Sequence, residues 1–555
     1  MEKRSEVKTV RIVVDDRALD VPEGTSVASA VYGLNAARTS VRGEDRQALC
    51  GMGICFECRL TVDGQPHRRT CQLPVRDGLH VEAADPETDA LTPGRGPDPE
   101  GSAALEAPAP LDATAFDVVV LGGGPAGLAA AVSAGELGRT VAIIDDNPGF
   151  GGQIWRGQSS DGAHESAAAS PSAPLRRRLH ALVLIGAVAP FPASSLIDAA
   201  SPKDFDDLDD ARPQSFALTV KSPAGVRRIR ASALVLATGA RELFLPFPGW
   251  TRPGVLGAGG LQAMIKAGLD IRGQRVLIAG SGPLLLAVAD LVRRHGGDVI
   301  RIVEQASAAS VARFGAGLLT SPGKLAQAAT LAASLLRTPK TYGTWPTEAR
   351  GRADGRLGLV MLSNGDSLEC DLLACGFGLV PNTGVARHLG ASLAATDLGH
   401  TAIVVDGEQR TSRPGLFAAG ECTGVGGVDA AVLEGEIAGR AAAGASPDLR
   451  LAAKRRRSQA FARRLDVTFQ LDPRLRDLPR PDTIVCRCED VPWRALSRYG
   501  PGESRRAKLE TRCGMGPCQG RVCGAATAFL LGFGPDRIRP PFFPAAIDDL
   551  MAPEP

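Results

Sequence analysis

FDVVVLGGGPAG, residues 116–127, reads as a buried strand, a glycine-rich turn and the first turn of a helix. An Ala-rich segment runs on to Gly138, and a second apolar strand over 140–144 ends in Asp145 and Asp146. Alone, G-x-G-x-x-G is a weak signal; within strand, loop, helix, strand and acid it predicts a dinucleotide site. Gly122 makes the turn, Gly124 lets a pyrophosphate approach the backbone, and Gly127 lets helix and strand pack closely. Pro125 and Ala126 open a helix whose N-terminus supplies amides and positive partial charge for phosphate. Asp145 is placed to bind a ribose hydroxyl, and the Gly-rich loop 149–153 adds Gly152 and Gln153 to the expected contacts.

The same grammar recurs downstream. RVLIAGSGPLL, residues 275–285, precedes a helical stretch and a strand over 298–303 that ends in Glu304. This predicts a second nucleotide subdomain at about 240–375, contacting its ligand through Gly280, Gly282 and Glu304. Glu304 without a following Arg favours NAD over NADP. Leu285 stands where the third glycine belongs and prevents close helix–strand packing, so NAD, another adenine nucleotide and an empty fold all remain open. Two further strands end in tight turns, LVLATG at 234–239 and GLFAAGE at 415–421, and a helix opens near Val428.

Of the twelve cysteines, four lie near the start and five near the end, a clustering that points to metal in a reducing compartment and not to a disulfide scaffold. Cys50, Cys55, Cys58 and Cys71 follow a predicted hairpin and a helix capped by Thr25 or Ser26, with the C-x4-C-x2-C spacing of plant-type [2Fe-2S] proteins. Gly51 and Gly53 permit the tight loop that brings three thiolates together; a zinc knuckle or buried free thiols are the alternatives. Cys486-Arg-Cys488 and later Cys513-x4-Cys518, then Cys523, form the second group. A ligand pair separated by one residue argues mildly against zinc. Cys370 and Cys375 lie in one strand far from the first site, read here as buried structural thiols.

The wider composition is that of an ordinary multidomain globular chain: 555 residues, 44% apolar, 22% charged, and 63 basic against 61 acidic residues. That balance fits neither a nucleic-acid footprint nor an acidic tail. Neither a signal peptide nor an apolar run long enough for a membrane span is visible, so the expected location is cytoplasmic, with any membrane contact through a partner. Residues 1–84 form the first cluster domain, 85–115 a Pro-rich linker, 116–450 the nucleotide-binding core, 451–480 a connector with a basic run, and 481–555 the second cluster domain. Residues 159–174 read as an Ala/Ser-rich surface insertion and 204–210 as an acidic loop tip.

The C-terminal pattern resembles the small helical [2Fe-2S] module of bacterioferritin-associated ferredoxin, which implies Cys486, Cys488, Cys513 and Cys518 as ligands with Cys523 as their rival. The core resembles the two-dinucleotide flavoproteins related to glutathione reductase. That likeness implies FAD on the first site, Thr238 and Gly239 near the cofactor, Gly420 and Glu421 by the flavin ribityl chain, and the helix dipole at Val428 aimed at the isoalloxazine. Glu421 departs from the Asp usual there. As a whole, the α/β two-Rossmann core flanked by an α+β ferredoxin-like domain and a small helical cluster domain is similar to alpha subunits of heteromeric amino- and imino-acid dehydrogenases, the opine oxidase, hydroxyproline or proline dehydrogenase and hydrogen cyanide synthase family, and more distantly to sarcosine oxidase alpha. The resemblance implies a beta subunit of D-amino-acid or glycine oxidase type that oxidises a C–N bond, an FMN at a subunit interface, and a quinone or cytochrome as acceptor. This chain would relay electrons through flavin and two clusters; no catalytic acid or base is assigned to it. A self-sufficient NAD(P)H:acceptor reductase is the rival expectation, and an iron-sulfur carrier with a structural nucleotide fold a third.

Overall fold

The computed structural model describes residues 8–34, 38–82, 115–156, 171–201, 216–396, 400–534 and 538–550. The expected linker except Ala115, residues 159–170 of the Ala/Ser-rich insertion and the acidic tip 204–210 lie outside them. The chain forms two compact units, each assembled from three separated segments.

One unit comprises 99–241, 379–463 and 537–555. Its parallel sheet runs in the order Val188–Phe191, Val141–Ile144, Ala115–Leu121, Gly225–Leu236, Leu416–Ala418, and an antiparallel meander through Phe216–Ser222 and Ser195–Ala200 continues from Gly225–Leu236. Val118, Val119 and Val120 are wholly buried, as expected for a strand covered on both faces. Helices Pro125–Glu136 and Val428–Ala442 pack backbone to backbone: a methyl at Gly435 would lie 2.1 Å from the Ala126 carbonyl oxygen, and one at Gly439 2.2 Å from that of Ala130. The i,i+4 glycine pair puts both gaps on one helix face. Residues 538–550, grouped by sequence with the C-terminal cysteines, belong to this unit instead. Phe542 joins the core around Phe116 and Phe216, and Asp549 pairs with Lys221 at 2.6 Å. Their apolar side chains match this sheet, a long-range pairing that no local pattern announces.

The other unit comprises 1–98, 242–378 and 464–536. Its N-terminal sheet has the order Arg17–Pro22, Thr9–Val14, His80–Glu82, Arg59–Val62, Gln65–Arg69. Alternating Val10, Ile12 and Val14 face a core shared with Val27, Val31, Leu60 and Val81. Ser26, not Thr25, caps helix Val27–Val31, its hydroxyl accepting from the Ser29 amide. A second all-parallel sheet follows, ordered Val255–Leu256, Leu372–Gly376, Arg275–Gly280, Asp298–Glu304, Lys340–Tyr342. Its helix Ala258–Lys266 carries the N-terminal domain: Ser26 N–H donates to Ala267 and Ser29 Oγ to Met264. The C-terminal cysteines hang on a short hairpin, Ile484–Cys486 with Val491–Pro492, and on helices Ser504–Thr511 and Cys523–Leu531.

Glu242 caps helix Ala258–Lys266 from within the core, accepting from Gly259 N–H at 3.0 Å and Gly260 N–H at 3.3 Å. Burial raises its carboxyl to about 7, and the amide bonds offset only part of that. A carboxyl whose folded value exceeds its unfolded value near 4.5 binds its proton more tightly in the fold. Its contribution is therefore full below that pH and is lost as pH rises through about 7. Glu242→Gln should flatten this loss, gaining up to about 3 kcal/mol on the wild type between pH 5 and pH 8; urea unfolding at the two pH values measures it, and parallel curves would refute the assignment.

Candidate functional site

At the first glycine-rich turn, Gly122 takes φ +105°, and a methyl there would lie 2.3 Å from the Ala237 carbonyl oxygen. A methyl at Gly127 would lie 1.7 Å from the carbonyl of Gly122, so the helix can begin directly at Pro125 only because position 127 is glycine. Asp145 accepts from Gly123 N–H at 2.5 Å and from Asn147, and burial, with Asp146 beside it, raises the carboxyl to about 6. The first helical bond runs from Leu128 to Gly124; the amides of Gly124, Ala126 and Gly127 have no protein acceptor among the described residues. Gly152 closes onto Gly124, its Cα 3.9 Å from where a Gly124 methyl would be. This is a backbone cradle for an anion, and it fits a dinucleotide pyrophosphate. Thr238 donates to the Asn382 carbonyl at 2.7 Å, and Asn382 returns a bond to Thr238 at 2.9 Å, so the turn before Gly239 is tied from the far side of the fold.

The late turn depends on a residue the motif does not contain. Glu434, buried on helix Val428–Ala442, accepts from Gly420 N–H at 3.0 Å and from Thr423 Oγ at 3.1 Å. Burial raises the Glu434 carboxyl, and Arg455, 3.9 Å away, opposes that rise. Its signal in the sequence is an acid on an otherwise Ala/Gly helix face. Glu421 itself is raised by burial to about 6. Asp429 lies in the first turn of the helix at Val428, where an acid offsets part of the positive end.

The second turn has Ser281, Leu284 and Leu285 where the first has Gly123, Ala126 and Gly127. Gly280 matches Gly122, with φ +136° and a methyl position 1.8 Å from the Gly376 carbonyl oxygen. Leu285, however, is packed among Val276, Ile278 and Val288 and cannot occupy the space open at Gly127, so the helix starts only at Leu284. The acid contact shifts in step: Glu304 accepts from Gly282 N–H at 2.8 Å. Ser281 N–H donates to Gly376, Leu285 N–H to Gly282 and Leu286 N–H to Pro283, so with Gly282 bonded to Glu304 most amides of this loop already have protein acceptors, Leu284 N–H being without one among the described residues. The connector adds to this. Gln305 Nε2 donates to Ser281 Oγ and to the Gln470 carbonyl, both at 3.0 Å, Gln305 Oε1 accepts from Asp472 N–H at 3.0 Å, and Ser281 Oγ donates to Phe469.

All twelve cysteines are buried and free. In the N-terminal group, thiol hydrogen bonds pair Cys50 with Cys55 and Cys58 with Cys71. Met52 N–H donates to Cys50 Sγ at 3.3 Å and Glu57 N–H to Cys55 Sγ at 3.5 Å. Two thiol pairs with amide donors fit a cluster that takes two sulfurs on each of two irons. The C-terminal group repeats the arrangement: Cys488 pairs with Cys518, and Cys486 with Cys513. Cys523 is not remote: its sulfur and those of Cys486 and Cys513 lie within 4.8 Å of one another. Hydrogen bonds from Cys513 and Cys523 hold the Cys486 thiol well below its ordinary range. The four expected ligands thus converge, together with a fifth thiol. Cys370 and Cys422 are pushed up by burial to about 12, and Cys422 Sγ donates to the Leu236 and Ala419 carbonyls at 3.3 Å, the environment of inert thiols.

Comparison with known proteins gives this geometry a lineage. Residues 116–435 match the family described as pyridine nucleotide-disulphide oxidoreductase, and residues 7–86 the 2Fe-2S iron-sulfur cluster binding domain. The A subunit of opine oxidase from Rhizobium meliloti (strain 1021) is 30% identical over 78% of this chain and 98% of its own length. The HcnB subunit of hydrogen cyanide synthase from Pseudomonas protegens is 28% identical over 76% of this chain and 91% of its own. The crystal structure of L-proline dehydrogenase from P. horikoshii shares the fold, with a TM-score of 0.67 at 20% identity over 99% of this chain and 98% of that one.

The chain belongs to the pyridine nucleotide-disulphide oxidoreductases and carries a [2Fe-2S] domain. Within them its family is that of HcnB and the opine oxidase A subunits, and the two matched families imply FAD and a [2Fe-2S] cluster on this chain. The C-terminal cysteines are compatible with a second cluster. Among the described residues no helix is long and apolar enough to cross a membrane.

Gly435→Ala should force the two cofactor-side helices apart, costing about 1–3 kcal/mol and lowering the flavin retained on purification, read from visible absorbance and the melting midpoint. Cys518→Ser should halve the iron content of the reconstituted protein and Cys523→Ser should leave it unchanged; the reverse pattern would make Cys523 the ligand.

Proposed function

We propose that this chain is the electron-transferring subunit of a heteromeric amino- or imino-acid dehydrogenase. A partner flavoprotein subunit of the D-amino-acid or glycine oxidase type oxidises the C–N bond of an opine, proline, hydroxyproline or glycine-like substrate, and this chain carries the electrons onward to a quinone or cytochrome. The observation that carries the reading is the contrast between the two glycine-rich turns. The first leaves the amides of Gly124, Ala126 and Gly127 open to a dinucleotide phosphate, whereas in the second Ser281, Gly282 and Leu285 are bonded within the protein and the Ser281 and Gln305 side chains are held by residues 469–472. A nicotinamide nucleotide would have to displace those bonds, so electrons entering from NAD(P)H are disfavoured. The names of the relatives, which are subunits of opine oxidase and of hydrogen cyanide synthase, support a partnered role.

When bound, FAD accepts electrons in pairs and releases them singly, while [2Fe-2S] centres carry one at a time. The residues of the chain do the holding. Gly122, Gly124, Pro125, Ala126 and Gly127 would seat the pyrophosphate against the helix start, and Asp145 would meet the ribose. Gly152 and Gln153 would cover the first turn, Thr238 and Gly239 would lie beside the cofactor, and Gly420 and Glu421, braced by Glu434, would lie along the ribityl chain. Cys50, Cys55, Cys58 and Cys71 would hold one cluster and Cys486, Cys488, Cys513 and Cys518 the other, each set buried from water.

Under anaerobic conditions, NADH added to the purified holoprotein should leave its flavin absorbance unbleached. The native protein should copurify with a second flavoprotein subunit, and proline, hydroxyproline, octopine, nopaline or glycine should bleach this chain only in that complex. Full NADH-driven activity of the chain isolated alone would overturn the proposal.

A further inference from the structure

Between the two cysteine groups lies a buried set of charges that no motif predicts. Glu57, between Cys55 and Cys58, and Arg487, between Cys486 and Cys488, form an ion pair at 3.1 Å with side chains 1% and 2% exposed. The other carboxylate oxygen of Glu57 accepts from Arg38 at 3.1 Å. Arg46, equally buried, donates to Asp490 at 2.7 Å, and Asp490 also accepts from the Arg42 amide at 3.1 Å. Arg487 donates to the Trp250 carbonyl at 3.1 Å and lies over the Trp250 ring, 5.1 Å from its centroid. Trp250 Nε1 donates in turn to Ile484 at 2.6 Å.

Removing one member of such a pair leaves an uncompensated buried charge, a penalty that surface pairs do not carry. Here the pair joins the two loops that carry the ligands. Arg38, Arg46 and Arg487 face the buried carboxylates of Glu57 and Asp490 and, at the edge, the exposed Glu44 at 2.8 Å from Arg46, so removing one buried charge shifts the balance felt by centres that become more negative when reduced.

We propose that the Glu57–Arg487 pair holds the two cysteine loops against each other so that the clusters they carry exchange electrons directly and titrate as one interacting pair. The inference rests on the reading of the C-terminal cysteines as a second cluster. Each transfer moves a single electron, oxidising one centre by one and reducing the other by one, with no bond formed or broken and no proton required. Glu57 and Arg487 are positioning residues: they act through the loops and through their charge.

The test uses the full-length holoprotein, with iron content, dithionite-reduced EPR and a redox titration. The fully reduced wild type should show magnetic interaction between two S = 1/2 centres. Glu57→Gln, which keeps shape and removes the negative charge, should raise both midpoint potentials at unchanged iron content, and Arg487→Gln should lower both. Four irons with non-interacting signals, or a shift confined to one centre, would overturn the inference and leave the function standing. Two irons would remove its premise. If neither variant folds, the spectrum of the unmodified protein decides alone.

Discussion

The close approach of backbone to backbone is the constraint on which the flavoprotein unit depends. Gly122 against the Ala237 carbonyl, Gly127 against Gly122, and Gly435 and Gly439 against Ala126 and Ala130 are all contacts in which a single methyl group would overlap a carbonyl oxygen. These contacts set where the two helices begin and hence where their amides and positive ends lie. The chemistry of the site follows from missing side chains as much as from those present. Glu434 completes the arrangement, because a late turn made of small residues has no side chain of its own to hold its amides, and a carboxylate from the helix supplies the acceptor.

The second nucleotide fold shows what happens when one of these contacts is absent. Leu285 in place of glycine shifts the helix start by one residue and moves the acid contact from the second loop residue to the third, and the amides of Ser281, Gly282 and Leu285 are bonded within the protein. The two turns therefore differ in how many amides they leave open to a phosphate, three in the first and Leu284 alone in the second among the described residues. Both folds place a parallel strand, a glycine turn, a helix and a strand ending in an acid in the same order, and the bulk of Leu285 at the position of Gly127 is what displaces the helix start.

The N-terminal and C-terminal cysteine groups, more than 400 residues apart in sequence, belong to one compact unit. Charges were placed between them at the expense of desolvating five ionisable side chains, an arrangement rarely retained for stability alone. It lies between the two cysteine-bearing loops, Glu57 on one and Arg487 on the other.

Both glycine-rich turns with their strands and helices, the hairpin and helix leading to Cys50, and the departure at Leu285 were legible in the sequence, because each is a local pattern of strand, turn and helix set by residues within a few positions of one another. The sequence also pointed to the family, through motifs ordered along nearly the whole chain. What only the tertiary structure decided was which distant groups meet. Glu434 reaches Gly420, Cys523 joins Cys486 and Cys513, residues 469–472 bond to Ser281 and Gln305, residues 538–550 return to the first sheet, and Arg487 finds Glu57. These contacts come from long-range packing, where burial and charge pairing select partners that have no fixed spacing in the chain.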